Sequence, residues 1–199
     1  MSEWWTYRPS DFLLFSSRTY HRLFELYNAD IWPLQILALV GGIAILALLH
    51  SRIAWRSRVI TVILVCCWLW VAWAFHWQRY ATINWAATYL AAAFAIEAVL
   101  LMWIGVVRDP FRVDSIRTTR VRWGIAIFCF ALLVQPFLGL LLGRSWLGLE
   151  FFGVTPDPTA IATLGLLLTS HRMSWLAWPI PVLWCLISVT TLGVLLQTG

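Results

Sequence analysis

Long runs of apolar residues alternate with short polar stretches along nearly the whole chain, and most of these runs are long enough to cross a bilayer. A membrane-spanning helix needs about 20 mainly apolar residues, because the hydrocarbon core is about 30 Å thick. The pattern predicts spans at about 31–49, 59–75, 84–107, 124–143 and 175–197. The predicted fold is therefore an all-α, polytopic transmembrane helical bundle.

One further element, at about 158–170, is shorter than the others. Only about a dozen apolar residues lie between Asp157 and His171, after the proline-rich sequence TPDPT. Two interpretations fit: a short helix reached by a hairpin that dips into the bundle, or a re-entrant segment. Non-helical backbone at membrane depth must be buried by protein or line a water-filled cavity. Residues 155–159 therefore mark a crevice in both interpretations. With this element the bundle has about six membrane helices.

The first thirty residues are too polar to span a membrane and too apolar to dissolve freely. Ser10 and Ser17 are typical helix starts, and Tyr20, Phe24 and Tyr27 follow at helical spacing. We predict that residues 1–30 form an amphipathic segment on the membrane surface and that residues 31–199 form the bundle. An interfacial anchor is the favoured role, and a gating element is the alternative.

The composition supports an integral membrane protein. Of the 199 residues, 61% are hydrophobic and 12% are charged, and the mean hydropathy is +0.80, whereas soluble domains have about 25% charged residues. The net charge of +5 comes from arginines at the ends of apolar runs, where they face lipid headgroups and not nucleic acid. So little of the chain lies outside these runs that a separate catalytic domain in water is excluded.

The arginines also predict an orientation. If six elements cross, nine arginines fall in the first, third and fifth connections, and only Arg79 and Arg144 fall in the second and fourth. The positive-inside rule then makes the nine-arginine side cytoplasmic, so both termini are expected on the extracytoplasmic side. A re-entrant 158–170 element would move the C-terminus inside.

Glu97 is the one formal charge between Arg79 and Arg108, inside the predicted third span. A carboxylate near the bilayer centre costs roughly 2.5–3.5 kcal/mol on insertion scales, so we expect this residue to have a partner or a purpose. It lies about 20 Å along the helix axis from Asn84, close to the midplane.

Other polar residues collect at the predicted extracytoplasmic ends of the helices. These residues, with Glu97 and with Thr159 of the crevice, form the candidate ligand site or polar network. The full set is Asn28, Gln35, His76, Asn84, Glu97, Asp157 and Thr159. One interpretation is a mouth for a cation, a proton or a small solute above a deeper Glu97. The alternative is an interhelical hydrogen-bond network with a protonated Glu97.

No metal site or catalytic group is visible in the sequence. The four histidines lie at four separate boundaries, and the four cysteines have no metal-site spacing. There is no nucleophile and base at a catalytic spacing, so we expect a protein that is not an enzyme. No cofactor is indicated.

Three segments, FELYNADIWPLQ, HWQRYATIN and FGVTPDPTAIATLGLLL, give the chain a resemblance to an uncharacterised bacterial family of multi-pass membrane proteins, a domain of unknown function. The resemblance covers nearly the whole chain and departs from the family pattern at Trp85 and Asp157. It implies the fold and a location in the bacterial inner membrane. It implies no activity.

The resulting hypothesis is a non-enzymatic protein that acts by association, as an accessory or stabilising subunit of a larger membrane assembly or as a homo-oligomer. Its fifteen tryptophans motivate this, since they exceed what two interfacial belts around a small bundle require. The alternative is a small-solute or ion carrier with an extracytoplasmic polar mouth and Glu97 near the midplane. A carrier needs a water-accessible path, whereas an accessory subunit needs only a packed interior.

Overall fold

The computed structural model describes residues 16–108, 111, 118–141, 143–170 and 175–198, and these residues form helices joined by loops, with no strand among them. Within them, the α-helices in chain order are α1 Ser17–Asp30, α2 Leu34–His50, α3 Arg56–Trp70, α4 Ala87–Arg108, α5 Thr119–Cys129, α6 Gln135–Leu141, α7 Pro156–Thr169 and α8 Pro179–Thr198. A π-helical turn, Val71–Trp77, extends α3, and a second one, Phe130–Val134, joins α5 to α6.

Within the residues that the structure describes, four or five helices can cross a membrane. The stretches that are long and apolar enough are Arg56–Thr82, Ala87–Gly105, Thr119–Leu141 and Trp175–Leu195. α1 and α2 pass the same test only as a pair, and they are bent by 87°. α2 has 17 residues and α7 has 14, fewer than the about 20 of an upright span. The all-helical bundle is thus confirmed, and the predicted count of six is not.

The connections between the helices gather at two ends of the bundle. At one end the Arg79 guanidinium donates to the Asp30 carboxylate, which joins the α3–α4 connection to the end of α1. At the other end the Arg120 guanidinium donates to the carbonyl of Ser170, which joins the start of α5 to the end of α7. We call these the α1 end and the Arg120 end.

α5 and α7 pack so closely that their backbones touch. A Cβ atom added to Gly165 would lie 2.7 Å from the carbonyl oxygen of Gly124 and 2.8 Å from the backbone nitrogen of Phe128. A Cβ atom added to Gly124 would lie 2.5 Å from the carbonyl oxygen of Gly165. Small residues permit this approach, which gains dispersion energy between helices in an apolar solvent.

The short fifth element is a helix reached through non-helical backbone. Residues 143–155 lead from α6 to α7, with Trp146 and Leu147 exposed and residues 152–155 all buried. We call this segment the buried loop, after its buried second half. α7 then runs from the α1 end, where Tyr27 contacts Val154, to the Arg120 end at Ser170. Of the two interpretations of the sequence, the short helix reached by a hairpin agrees with this path, because the chain does not return to the end from which it came.

The aromatic face of α1 is covered by the bundle. Tyr20, Phe24 and Tyr27 are 5%, 1% and 1% exposed, and Phe24 and Tyr27 both contact the ring of Phe75. Ser16 caps the helix by accepting a hydrogen bond from the backbone nitrogen of Thr19. The predicted amphipathic helix therefore exists. Its apolar side packs against the protein, whereas the sequence predicted that it would lie on the membrane surface. The predicted start at Ser10 lies outside the described residues.

Exposed tryptophans form two bands. In the described part of the chain nine tryptophans are exposed: Trp32, Trp73, Trp77, Trp85 and Trp146 towards the α1 end, and Trp55, Trp103, Trp123 and Trp175 towards the Arg120 end. Tryptophan is enriched where lipid headgroups meet the hydrocarbon core, so two bands at opposite ends match the two interfaces of a bilayer. These nine residues therefore need no partner protein to explain them.

Candidate functional site

The polar side chains of α1 bind the backbone of the buried loop. The side-chain nitrogen Nδ2 of Asn28 donates to the carbonyl oxygens of Leu147 and Leu149, both at 2.7 Å. Gln35 donates from Nε2 to the carbonyl oxygen of Asn28 at 2.8 Å and so ties α2 to the end of α1. Asn28 and Gln35 are two of the predicted site residues, and the structure brings them together.

The hydroxyl of Tyr27 extends this contact deeper into the bundle. It donates to the carbonyl oxygen of Val154 at 2.7 Å and accepts a hydrogen bond from Nε1 of Trp70 at 2.9 Å. Buried non-helical backbone cannot supply its own hydrogen-bond partners, and each unsatisfied carbonyl costs free energy. α1 supplies the donors that this loop needs, so its role in the structure is to cover the loop.

We expect Asn28→Leu to lower the free energy of unfolding in detergent by about 1–2 kcal/mol, because the carbonyls of Leu147 and Leu149 lose a buried donor. Asn28→Asp, which keeps the size but not the donor, should behave similarly. Leu26→Ala, on the exposed side of α1, is the control and should be close to neutral. Chemical denaturation followed by tryptophan fluorescence would measure all three, and an unchanged Asn28→Leu variant would show that α1 does not hold the loop.

A charged contact joins α1 to the loop near the surface. The hydroxyl of Ser145 donates to Oε1 of Glu25 at 2.5 Å, and the Arg22 guanidinium donates to Oε2 at 2.9 Å. The Ser145 hydrogen bond, followed by that from Arg22, lowers the pKa of Glu25. A carboxyl with a lowered pKa stabilises the fold above its ordinary pKa, and this contribution disappears as the pH falls through the lowered value.

Acidification should therefore loosen α1. We expect hydrogen exchange of the α1 backbone to accelerate when the pH falls from neutral to below about 4, after correction for intrinsic exchange rates. In Glu25→Gln the additional acceleration should be smaller, because the titrating group is absent. An identical pH response in both proteins would assign the effect to other carboxyl groups.

The buried loop also contains an ion pair. The Arg144 guanidinium lies 2.6 Å from Oε1 of Glu150, and their side chains are 9% and 12% exposed. Burial, followed by the charge of Asp157, raises the pKa of Glu150 to about 7, while Arg144 acts in the opposite direction. The sequence analysis missed this pair, because the two residues look like ordinary interfacial charges.

The predicted crevice at residues 155–159 is closed by hydrogen bonds. Thr159 has no exposed surface. Its hydroxyl accepts from the backbone nitrogen of Gly153 at 2.8 Å and donates to the carbonyl oxygen of Thr155 at 2.6 Å. One turn further, Nε1 of Trp68 donates to the hydroxyl of Thr163 at 2.9 Å. Thr159 is thus part of the junction between the loop and α7.

Asp157 links α7 to α8. One carboxylate oxygen accepts from Nε1 of Trp184 at 2.7 Å, and the other accepts from the hydroxyl of Ser188 at 2.6 Å. Both oxygens are therefore occupied by the protein itself. Ser188 and Trp184 could not be paired with Asp157 from the sequence, since they follow it by 31 and 27 residues.

His76 lies in an aromatic cage within the π-helical turn of α3. Its ring centroid is 4.5 Å from that of Phe94 and 4.9 Å from that of Trp184, which is also the partner of Asp157. His76 has no exposed surface, and neither ring nitrogen has a hydrogen-bond partner in the described part of the chain. π-Helical turns often occur at functional sites because they re-aim a side chain.

Glu97 does not have the partner that the sequence led us to expect. The side chain has no exposed surface, and neither carboxylate oxygen has a hydrogen-bond partner among the described residues. No ion pair connects it with His76. Both residues are therefore buried polar groups without a hydrogen-bond partner in the described part of the chain.

Three of the predicted residues, His76, Asn84 and Asp157, lie around Tyr80 and Trp184. The ring of His76 is 6.0 Å from that of Tyr80 and 4.9 Å from that of Trp184, which donates to Asp157. Asn84 belongs to the turn before α4, where its Oδ1 accepts from the backbone nitrogen of Ala86 at 3.0 Å and its Nδ2 donates to the hydroxyl of Tyr80 at 3.3 Å. Asn28 and Gln35 join α1 to the loop and to α2, and no described residue hydrogen-bonds to Glu97. The described residues contain no group of three His, Cys, Asp or Glu side chains that could hold a metal ion.

Comparisons with known proteins give a family and no closer relative. No curated protein matches the chain, and no solved structure matches it. Residues 17–197 match a family that is described as a family of unknown function, which confirms the resemblance seen in the sequence. This match covers every helix from α1 to α8, so the chain belongs to the family of unknown function DUF6064.

Proposed function

We propose that the protein is a non-enzymatic membrane protein that acts by association, as a stabilising subunit of a larger membrane assembly. The observation that carries this proposal is an open groove between α4 and α8. The groove encloses about 410 Å³, and its walls include Tyr89 of α4 and Thr190 and Thr191 of α8. On the same helix, a Cβ atom added to Gly193 would have nothing within 4 Å.

These residue types suit contact with another membrane helix. Apolar side chains gain little from leaving lipid for a partner, so helix interfaces in membranes rely on small residues for close approach and on hydroxyls for hydrogen bonds. Tyr89 is 69% exposed, and in the described part of the chain neither its hydroxyl nor that of Thr191 has a partner. A partner helix in this groove would meet both hydroxyls.

The interior gives no support to a passage. His76 and Glu97 have no exposed surface, and aromatic rings surround His76. A small-solute or ion carrier with Glu97 near the midplane would need water to reach both residues. The buried state of both favours a protein that works through its outer surface.

We infer that the assembly lies in the bacterial inner membrane, with six elements between the two faces and the α1 end on the extracytoplasmic side. The support is that α7 connects the α1 end with the Arg120 end despite its 14 residues, together with the arginine asymmetry of the connections. A single cysteine in the connection at residues 78–86, in a background without native cysteines, should react with a membrane-impermeant maleimide in intact cells. A cysteine that reacts with the maleimide only after the cells are lysed would show that the α1 end lies on the cytoplasmic side.

Purification of the tagged chain in a mild detergent tests the association. We expect a stoichiometric partner, or a second copy of the chain, in the complex isolated from the native membrane. Thr190→Trp should release it, because Thr190 is exposed in the wall of the groove and the indole would occupy the space that the partner helix enters. A monodisperse particle of 22.9 kDa protein with no companion would refute the proposal.

The matched control is Ile43→Trp, which places the same side chain on the exposed side of α2. It should leave the complex intact. Equal loss of the partner in both variants would show that a bulky surface residue, and not the α4–α8 groove, causes the effect. Thermal melting of the isolated chain should be similar for both, since neither position is packed.

A further inference from the structure

Two cavities follow one another along the outside of α2 and α3, and both are bounded by Trp70. The first is an apolar groove of about 290 Å³ between Ala38 and Gly41 of α2 and Ile63 of α3. Gly153 of the buried loop forms its back wall, where a Cβ atom would lie 2.8 Å from the sulfur of Cys67 and 3.4 Å from Cβ of Ala38. Any larger residue at position 153 would therefore fill the groove.

The second cavity is polar at its outer side. It encloses about 390 Å³ between the end of α1 and the π-helical turn that extends α3, and its walls include Asp30, Gln78 and Arg79. Asp30 and Arg79 form an ion pair whose side chains are 55% and 38% exposed, so both remain accessible. The hydroxyl of Tyr27 and the ring of Trp70 stand at the junction of the two cavities and hydrogen-bond to each other.

The order of the cavities matches the order of groups in a phospholipid. α1 is bent by 87° from α2, so when α2 crosses a membrane α1 lies along its surface, at the depth of the lipid headgroups. The cavity with Asp30 and Arg79 is then at headgroup depth, and the apolar groove lies directly below it at acyl-chain depth. Trp32 and Trp73, both exposed beside this face, mark the same boundary.

The charges indicate the type of headgroup. An isolated arginine would suit an anionic lipid, but here Arg79 is paired with Asp30, so the local charge is balanced. A phosphate with a primary ammonium group complements such a pair, because the guanidinium binds phosphate oxygens and the carboxylate accepts from an ammonium group.

We propose that this face binds one zwitterionic phospholipid of the phosphatidylethanolamine type, with its phosphate at Arg79, its ammonium at Asp30 and an acyl chain in the groove at Gly41. The lipid would replace the direct contact between Arg79 and Asp30 with two contacts of its own. This site is separate from the α4–α8 groove, so either proposal can fail without the other.

Native mass spectrometry of the delipidated full chain tests the site, with phosphatidylethanolamine, phosphatidylglycerol and chain-free glycerophosphoethanolamine as probes. We expect one phosphatidylethanolamine to be retained about tenfold more strongly than phosphatidylglycerol, the value of one charge-assisted contact. The chain-free headgroup should bind far more weakly. Equal retention of the two lipids by the wild type would overturn the assignment.

Three variants separate the parts of the site. Asp30→Asn should remove the preference for phosphatidylethanolamine and leave phosphatidylglycerol binding intact, whereas Arg79→Gln should weaken both. Gly41→Phe should block the groove and weaken both lipids. A Cβ atom at Gly41 has only Ile63 nearby, at 3.5 Å, so the fold should tolerate the change. Gly193→Phe, in the open space on α8, is the matched control and should bind both lipids as the wild type does. If Gly41→Phe also bound both lipids as the wild type does, the acyl chain would not lie in the groove.

Discussion

Gly165→Ala is expected to lower the free energy of unfolding by about 3 kcal/mol, at the upper end of the range for overpacked interiors. The added Cβ atom would lie 2.7 Å from a backbone oxygen of Gly124 and 2.8 Å from a backbone nitrogen of Phe128. Backbone atoms in two packed helices cannot rotate away as a side-chain tip can, so α7 must move off α5. Denaturation in detergent, followed by the circular dichroism of the helices, would measure the loss.

Gly193→Ala provides the matched control, since it makes the same chemical change within a helix where nothing lies within 4 Å of the new atom. It should raise the stability by about 0.5–1 kcal/mol, because alanine restricts the unfolded chain more than glycine does. Gly124→Ala should resemble Gly165→Ala. If Gly165→Ala and Gly193→Ala had the same stability, the contact between α5 and α7 would be looser than the structure indicates.

Glu97→Leu is expected to raise the free energy of unfolding by about 2–3 kcal/mol, the range of the cost of a polar or charged group without a partner in an apolar interior. Leucine has a similar volume and removes two oxygens that the described residues leave without hydrogen bonds. Glu97→Gln keeps an unsatisfied amide in the same place and should stay close to the wild type. Thermal melts of the three proteins in one detergent would rank them.

From the sequence alone we would expect the opposite order, because a membrane carboxyl is expected to have a partner that leucine would leave unpaired. The structure reverses this expectation, because no described residue hydrogen-bonds to Glu97. A melt in which Glu97→Leu is less stable than Glu97→Gln would therefore reveal a group outside the described residues that bonds to Glu97. Glu97 would then be a residue that binds this group, and not an unpaired polar residue that destabilises the fold.

The membrane-facing part of the fold could be predicted from the sequence because the information is local. A run of about twenty apolar residues can satisfy its backbone only as a helix in a bilayer, so the predicted 84–107 and 175–197 correspond to α4 and α8. The short element at 158–170 was also found, since its proline-rich start and reduced length are visible without any tertiary contact.

The candidate site was predicted less well, because its contacts are not local. Asn28 binds carbonyls that follow it by 119 and 121 residues, and no spacing within α1 indicates them. An aromatic face such as that of α1 is equally suited to lipid and to protein, so its periodicity predicts a helix but not what covers it. The missing partner of Glu97 could not be predicted either, since the sequence shows the charge and not its surroundings.

The dependence of the buried loop on α1 also has a consequence for biosynthesis. Asn28 leaves the ribosome 119 residues before Leu147, a delay of about 6–24 s at the usual rate of about 5–20 residues per second. During that time α1 lacks the loop that its Asn28 side chain binds. A helix with one apolar face can rest on the bilayer surface until then. The amphipathic pattern therefore suits the nascent chain, and Asn28 later binds a loop that is made only after α6.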